Sequence, residues 1–94
     1  MDSYPDRQNR RMADPHRIRI EYCVPCSASP YATALVARLL EERENDLSAI
    51  EVVMGEKGIF DVHLDDELVF TKSMLGRYPE PDDVIPLIDA QLAG

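Results

Sequence analysis

Cys23-Val24-Pro25-Cys26 holds the only two cysteines of this 94-residue chain. Thiols at i and i+3 can close into a disulfide within one loop and be reopened by reduction. The same spacing can supply half of a metal site. The redox reading needs a particular setting: a strand that stops at the first cysteine and a helix that starts soon after the second. The free N–H groups and partial positive charge at a helix N-terminus favour thiolate over thiol. The thiolate is the better nucleophile at neutral pH, and its partner thiol resolves the mixed disulfide. Pro25 restricts the loop between them. No Lys, Arg or His lies between Tyr22 and Ala37. Only the helix end and hydrogen bonds from Ser27 or Ser29 therefore oppose the acidity of the rest of the chain, and the expected activation is modest.

Rival readings of the pair stay open. Zinc takes four ligands, usually Cys or His. The chain has two of each, and His16 falls in a tail-like segment while His63 sits mid-strand, so a site would have to be shared across a dimer. A structural disulfide over so short a loop stabilises little and does not suit a reducing compartment. Inert buried thiols are the remaining case. The residues favour Cys23 and Cys26 as a catalytic pair, with no metal and no bound cofactor. His63 alternates away from Phe60, Val62 and Leu64, as a surface histidine would. The acid pairs Glu41-Glu42, Asp65-Asp66 and Asp82-Asp83 suit turns and helix ends rather than acid–base catalysis.

The flanking patterns supply the required setting. Arg17 to Tyr22 alternates strictly, a strand with Ile18, Ile20 and Tyr22 inward. After the motif, Ser29 suits an N-cap and Pro30 the first helical position. Ala32, Leu35, Val36, Leu39 and Leu40 then form one apolar helical stripe. Ile50, Val52 and Met54 mark a second strand, broken at Gly55-Glu56-Lys57-Gly58. Phe60, Val62 and Leu64 mark a third, and Leu68 to Lys72 a fourth beyond a tight turn near Asp65-Asp66-Glu67. Gly76 to Pro81 reads as irregular loop. A closing helix spans Asp82 to Leu92, where Pro86 is tolerable only within the first turn. The order β-α-β-β-β-α, with a right-handed crossover between the first two strands, predicts a mixed four-stranded sheet with helices packed on it. This is an α/β fold of the thioredoxin-like type.

The length allows one domain. Residues 1–16 read as a disordered tail and residues 17–94 as the folded domain. No run approaches the ~20 apolar residues that span a bilayer, and the N-terminus lacks the apolar core of a signal peptide. A cytoplasmic protein without a membrane partner is expected. Charge is uneven: residues 1–19 carry +2 and residues 20–94 carry −10, which together give the net −8. So acidic a body argues against nucleic acid as a partner. Its two lysines, Lys57 and Lys72, are outnumbered by arginines, a composition that also suits concentrated salt. The basic pair Arg10-Arg11 could touch an acidic surface.

Several segments together resemble the selenoprotein W-like family (the SelT/SelW/SelH, or Rdx, proteins). Tyr22-Cys23-Val24-Pro25-Cys26 follows a short strand as that family's redox motif does. Gly58-Ile59-Phe60-Asp61-Val62 is similar to its Gly-x-Phe-x-Val strand. Leu68-Val69-Phe70-Thr71-Lys72 resembles its strand ending in Ser-Lys, and Gly76-Arg77-Tyr78-Pro79 its Gly-Arg-Phe-Pro segment. The likeness runs through residues 17–94. It implies a thioredoxin-like fold and thiol-based redox activity, often linked to glutathione. Family members with selenocysteine carry it at the position of Cys26, whereas thioredoxins attack with the cysteine matching Cys23, so the attacking sulfur stays open. Thr71 departs from the family's Ser, and the turn at Asp66-Glu67 lacks its usual Gly. Thioredoxins proper also carry a cis-proline where this chain has Gly58-Ile59, so substrate docking should differ.

The expected function is a thiol–disulfide redox protein exchanging with protein or low-molecular-weight thiols, glutathione or a thioredoxin-type reductant among them. The alternative is a protein-interaction module whose cysteines sense redox state or are vestigial.

Overall fold

A computed structural model describes residues 16–93. The tail expected over residues 1–16 lies outside these except for His16, which opens the first strand instead of closing a tail. The elements in order are β1 (His16–Cys23), α1 (Ser29–Glu42), a 3-10 turn (Glu44–Asp46), β2 (Leu47–Gly55), β3 (Phe60–Leu64), β4 (Glu67–Thr71), a second 3-10 turn (Lys72–Met74) and α2 (Pro81–Ala93).

The strands form one sheet in the order β2-β1-β3-β4. β1 runs parallel to β2 and antiparallel to β3, and β3 and β4 make an antiparallel hairpin. Register places side chains of like character in rows. Ile18 lies between Ile50 and Leu64, and Ile20 between Val52 and Val62. Because alternate residues share a face, these rows make one face of the sheet apolar. The core joins Ile18, Ile20, Phe60, Val62, Leu64 and Phe70 of that face to Ala32, Leu35 and Leu39 of α1 and Val84, Ile85 and Ile88 of α2. Both helices therefore cover the same face. Each Val, Leu, Ile or Phe side chain so withdrawn from water contributes roughly 1.5–3 kcal/mol before the entropy of ordering it is subtracted.

The two helices are also tied to each other. Arg43, just beyond α1, donates from Nε and Nη2 to the two carboxylate oxygens of Asp89 in α2, each at 2.7 Å. Arg38 of α1 reaches Asp82 at the start of α2 at 2.8 Å. The Arg43 guanidinium holds the Asp89 carboxyl below its ordinary value.

The β3–β4 turn is built on Asp65 and Asp66, with φ of 53° and 72°. Positive φ at both central residues is the type I′ hairpin geometry, normally filled by Asn-Gly. Asp65 is held there by β1. Its backbone N–H donates to the Arg17 carbonyl at 2.8 Å. Its carboxylate accepts from the Arg17 N–H at 2.9 Å and pairs with His16 Nδ1 at 2.5 Å.

Four details differ from the sequence expectation. Ala28, not Ser29, occupies the cap of α1, without a side-chain hydrogen bond, so Ser29 is the first helical residue. Leu40 is exposed, because the buried stripe of α1 is narrower than its apolar one. Val52 and Met54 share the face of Ile20 but are 38% and 66% exposed. They lie on an edge strand, beyond the cover of α1. Pro86 falls inside α2, past the first turn. It points to solvent, where water can reach the carbonyl that its missing N–H leaves free.

Candidate functional site

β1 ends at Cys23, and the motif loop runs from there to the start of α1. The junction predicted for Cys23-Val24-Pro25-Cys26 is thus present. Three strand ends meet at it. Cys23 pairs with Gly55, the last residue of β2, and Tyr22 pairs with Phe60, the first of β3. The Val24 N–H donates to the Gly55 carbonyl at 3.0 Å, and the Ser27 N–H turns back to the Val24 carbonyl at 3.2 Å. Ser27 completes the turn in the left-handed region, at φ 61°, and buried Ala28 leads into the helix.

Gly55 is a residue of this site that its sequence context marked only as a strand breaker. A Cβ there would lie 2.8 Å from both Glu21 Oε2 and Ile59 Cγ2. Glycine lets β2 run close enough to receive Val24. A second feature not read from the sequence is a stack of rings at the same end of the sheet. Tyr31, at the start of α1, stacks on Tyr78 with centroids 5.5 Å apart, and Tyr78 meets Phe60 edge-on at 6.1 Å. Lys72 Nζ lies 4.7 Å from the centre of the Tyr78 ring. Phe60, Lys72 and Tyr78 belong to three separate segments of the sequence, and only the fold brings them together with Tyr31.

Cys23 and Cys26 are joined by a disulfide, with Cα atoms 5.3 Å apart. Their surroundings differ. Cys23 is fully buried, whereas Cys26, like Val24 and Pro25, is exposed. A thiol or thiolate arriving from solvent meets the Cys26 sulfur. The first turn of α1 contains no acid, so its positive end is not neutralised from within the helix. Glu21 of β1 brings a carboxylate against Gly55.

The other sequence candidates lie elsewhere. His16 opens β1, at the end opposite Cys23, and is engaged by Asp65. His63 is in the middle of β3, on the helix-free face beside Arg19. Neither approaches the cysteines. Among the described residues no group of three or more His, Cys, Asp or Glu is placed to hold a metal. Asp65-Asp66 form the hairpin turn, Asp82-Asp83 start α2, and Glu41-Glu42 end α1.

The model of the Rdx family matches residues 17–90. The chain belongs to the Rdx family. Among curated proteins, migration and invasion enhancer 1 of Bos taurus is 32% identical over 72 residues, 77% of this chain. The match spans 61% of that relative's own length. Two crystal structures show the fold. A Bordetella parapertussis protein superposes with a TM-score of 0.75 at 26% identity, over 82% of this chain and 98% of its own. A selenoprotein W-related protein of Vibrio cholerae superposes with a TM-score of 0.76 at 17% identity, over 83% of this chain and 98% of its own. The Rdx chain described here thus has the thioredoxin-like α/β fold expected from its sequence. Among the described residues no helix is long and apolar enough to cross a membrane.

Proposed function

We propose that this Rdx chain is a thiol–disulfide redox protein in which Cys26 exchanges with the substrate and Cys23 resolves the product. The observation that carries the reading is the unequal burial of two bonded sulfurs at a strand–helix junction. In the reduced form the Cys26 thiolate attacks one sulfur of a substrate disulfide. A mixed disulfide forms, and the other substrate sulfur leaves as a thiolate. Cys23 then loses its proton and attacks Sγ of Cys26, closing the Cys23–Cys26 bond and releasing the second substrate thiolate. Two electrons pass from the protein dithiol to the substrate, and the sulfurs themselves carry them. The reverse sequence oxidises two thiols at the expense of the protein disulfide.

Glutathione or a thioredoxin-type protein is the natural class of partner, and a reducing compartment such as the cytoplasm the natural setting. The midpoint potential tests the reading. A value between roughly −180 and −300 mV supports turnover with such thiols. A pair that stays reduced under mild oxidation removes the redox role.

A second reading, a protein-interaction module with redox-sensing cysteines, draws on the groove between α1 and β2. Tyr22, Val36, Leu40, Ile50 and Val52 line it, and it lies beside the motif end of β1. Tight partner binding that is indifferent to replacement of both cysteines would favour that reading.

A further inference from the structure

β2 is an edge strand, and its polar backbone has a definite phase. The Gly55 carbonyl accepts the Val24 N–H, so the backbone groups of Gly55 face β1. The N–H and C=O of one strand residue point to the same side, and successive residues alternate. Glu51 and Val53 therefore also face β1, whereas Ile50, Val52 and Met54 turn their N–H and C=O groups to the free edge. Register pairs these three with Ile18, Ile20 and Tyr22, so their side chains point to the helix side of the sheet. There α1 leaves two adjoining hollows of about 350 and 380 Å³, which share Val36 and Val52. The unpaired backbone and the apolar hollows thus belong to the same stretch of β2. Carboxylates outnumber cations along it. Glu44 lines the hollow near the start of β2, Glu51 projects from the opposite face of the strand, and Glu56 follows its last residue. All three are exposed, and among the described residues no ion pair engages them. Arg19 is the cross-strand neighbour of Glu51 but forms no ion pair with it. Arg38 and Arg43 are held by other carboxylates.

We propose that the free edge of β2 takes an extended cationic segment of a partner protein as a fifth strand. The main chain of that segment bonds to Ile50, Val52 and Met54. Its alternate apolar side chains enter the two hollows beside α1, and its arginine or lysine side chains face Glu51 and the carboxylates at either end. In strand addition the backbone supplies affinity and the pockets for alternate side chains supply specificity. Here the charge of the flanks supplies the choice of partner, because an acidic segment meets like charge along the whole edge. The site stands on edge and groove geometry, so it holds whether the dithiol turns over or only senses redox state. One end of the added strand lies level with Gly55, and a partner held on this edge is therefore presented at the motif end of the sheet.

The probe is a short capped peptide of strictly alternating arginine and valine, titrated into the full chain at neutral pH and followed by amide NMR. It should slow hydrogen exchange at Ile50, Val52 and Met54, while Glu51 and Val53 are already protected without it. Val52→Pro removes one edge donor but none of the bonds to β1, a position where an edge strand accepts proline. It should weaken binding about fivefold or more. Glu44→Gln/Glu51→Gln leaves the backbone alone and should weaken binding about two- to tenfold, as loss of two exposed ion pairs implies. Equal binding of a peptide with glutamate in place of arginine, or of one with its valines grouped together, overturns the site. So do protection confined to other strands and parent affinity in both variants. Protection of the same three amides that appears without peptide and rises with protein concentration assigns the edge to a second copy and also overturns the proposal. Exchange with 2-hydroxyethyl disulfide is measured separately. A chain that exchanges but does not bind the peptide overturns the edge site alone; one that binds but does not exchange supports the edge site and removes the redox reading.

Discussion

Cys23 and Cys26 share one bond and two environments: Cys23 has no exposed surface, and Cys26 faces solvent. The order of events in exchange follows from that difference. Cys23→Ser keeps the accessible sulfur and removes the resolving one, so it should accumulate mixed disulfides with thiol partners. Cys26→Ser leaves only the enclosed sulfur and should trap at least about tenfold less. Mass spectrometry of both variants after exposure to glutathione disulfide measures this. Equal trapping, or trapping by Cys26→Ser alone, would reverse the assignment.

Gly55→Ala should destabilise the protein by about 1–2 kcal/mol, the lower part of the range for overpacking. The Glu21 carboxylate can swing aside from the new methyl, but the branched methyl of Ile59 cannot. The displaced β2 end should also loosen the Val24–Gly55 hydrogen bond and alter the rate at which the disulfide is reduced. Chemical denaturation and reduction by dithiothreitol report the two effects. A variant as stable as its parent would show that this end of the sheet yields freely.

Asp66→Gly should stabilise the chain by about 0.5–1 kcal/mol. Asp66 sits at φ 72°, a conformation that glycine adopts without the cost borne by a side chain. The change sacrifices only an exposed pair with Arg17 at 3.2 Å, and such pairs contribute little. Asp65→Gly should not give the same gain, because the Asp65 carboxylate holds Arg17 and His16. Thermal denaturation of the two variants separates these expectations; equal gains would mean that the Asp65 contacts are dispensable.

Acid should weaken the fold through the carboxylates that arginine and histidine hold. Asp89 is lowered first by its hydrogen bonds to Arg43, Asp83 by those to Arg77, and Asp65 by His16. A carboxyl lowered in the folded state stabilises it fully above the ordinary value of 3.8. That contribution is lost as pH falls through the lowered folded-state value. Arg43→Gln should therefore flatten the fall in urea midpoint between about pH 7 and about pH 3. The change should be modest, because the pair is partly exposed to solvent. An unaltered pH profile would remove Asp89 from the account.

Much of this architecture was legible because its signals are local. The alternation of Ile18 with Ile20 and of Phe60, Val62 and Leu64 marks the inward face wherever a strand is covered, and the strand–motif–helix junction follows from adjacent residues. The misread positions depend on what lies across space. Val52 and Met54 alternate just as Ile20 does, but no sequence pattern says that β2 is an edge strand and that α1 stops short of it. Leu40 is exposed for the same reason. Ser29 is a good cap in isolation, yet the backbone enters the helix one residue earlier through Ala28. Likewise, the unequal burial of the cysteines arises only once the ends of β1 and β2 and the start of β3 meet at the same level.

β2 has a further consequence. It is one of the two edge strands among the described residues, and it presents Val52 and Met54 to solvent beside a backbone edge that no neighbouring strand fills. Such an edge templates pairing between copies unless something keeps them apart. Its flank holds Glu51 but no lysine or proline. The net charge of −8 supplies the missing separation at neutral pH. Separation of copies is therefore expected to be an electrostatic property: near pH 4.5, the isoelectric point that the sequence implies, the chain should self-associate edge to edge while still folded, and Val52→Lys should restore its solubility there.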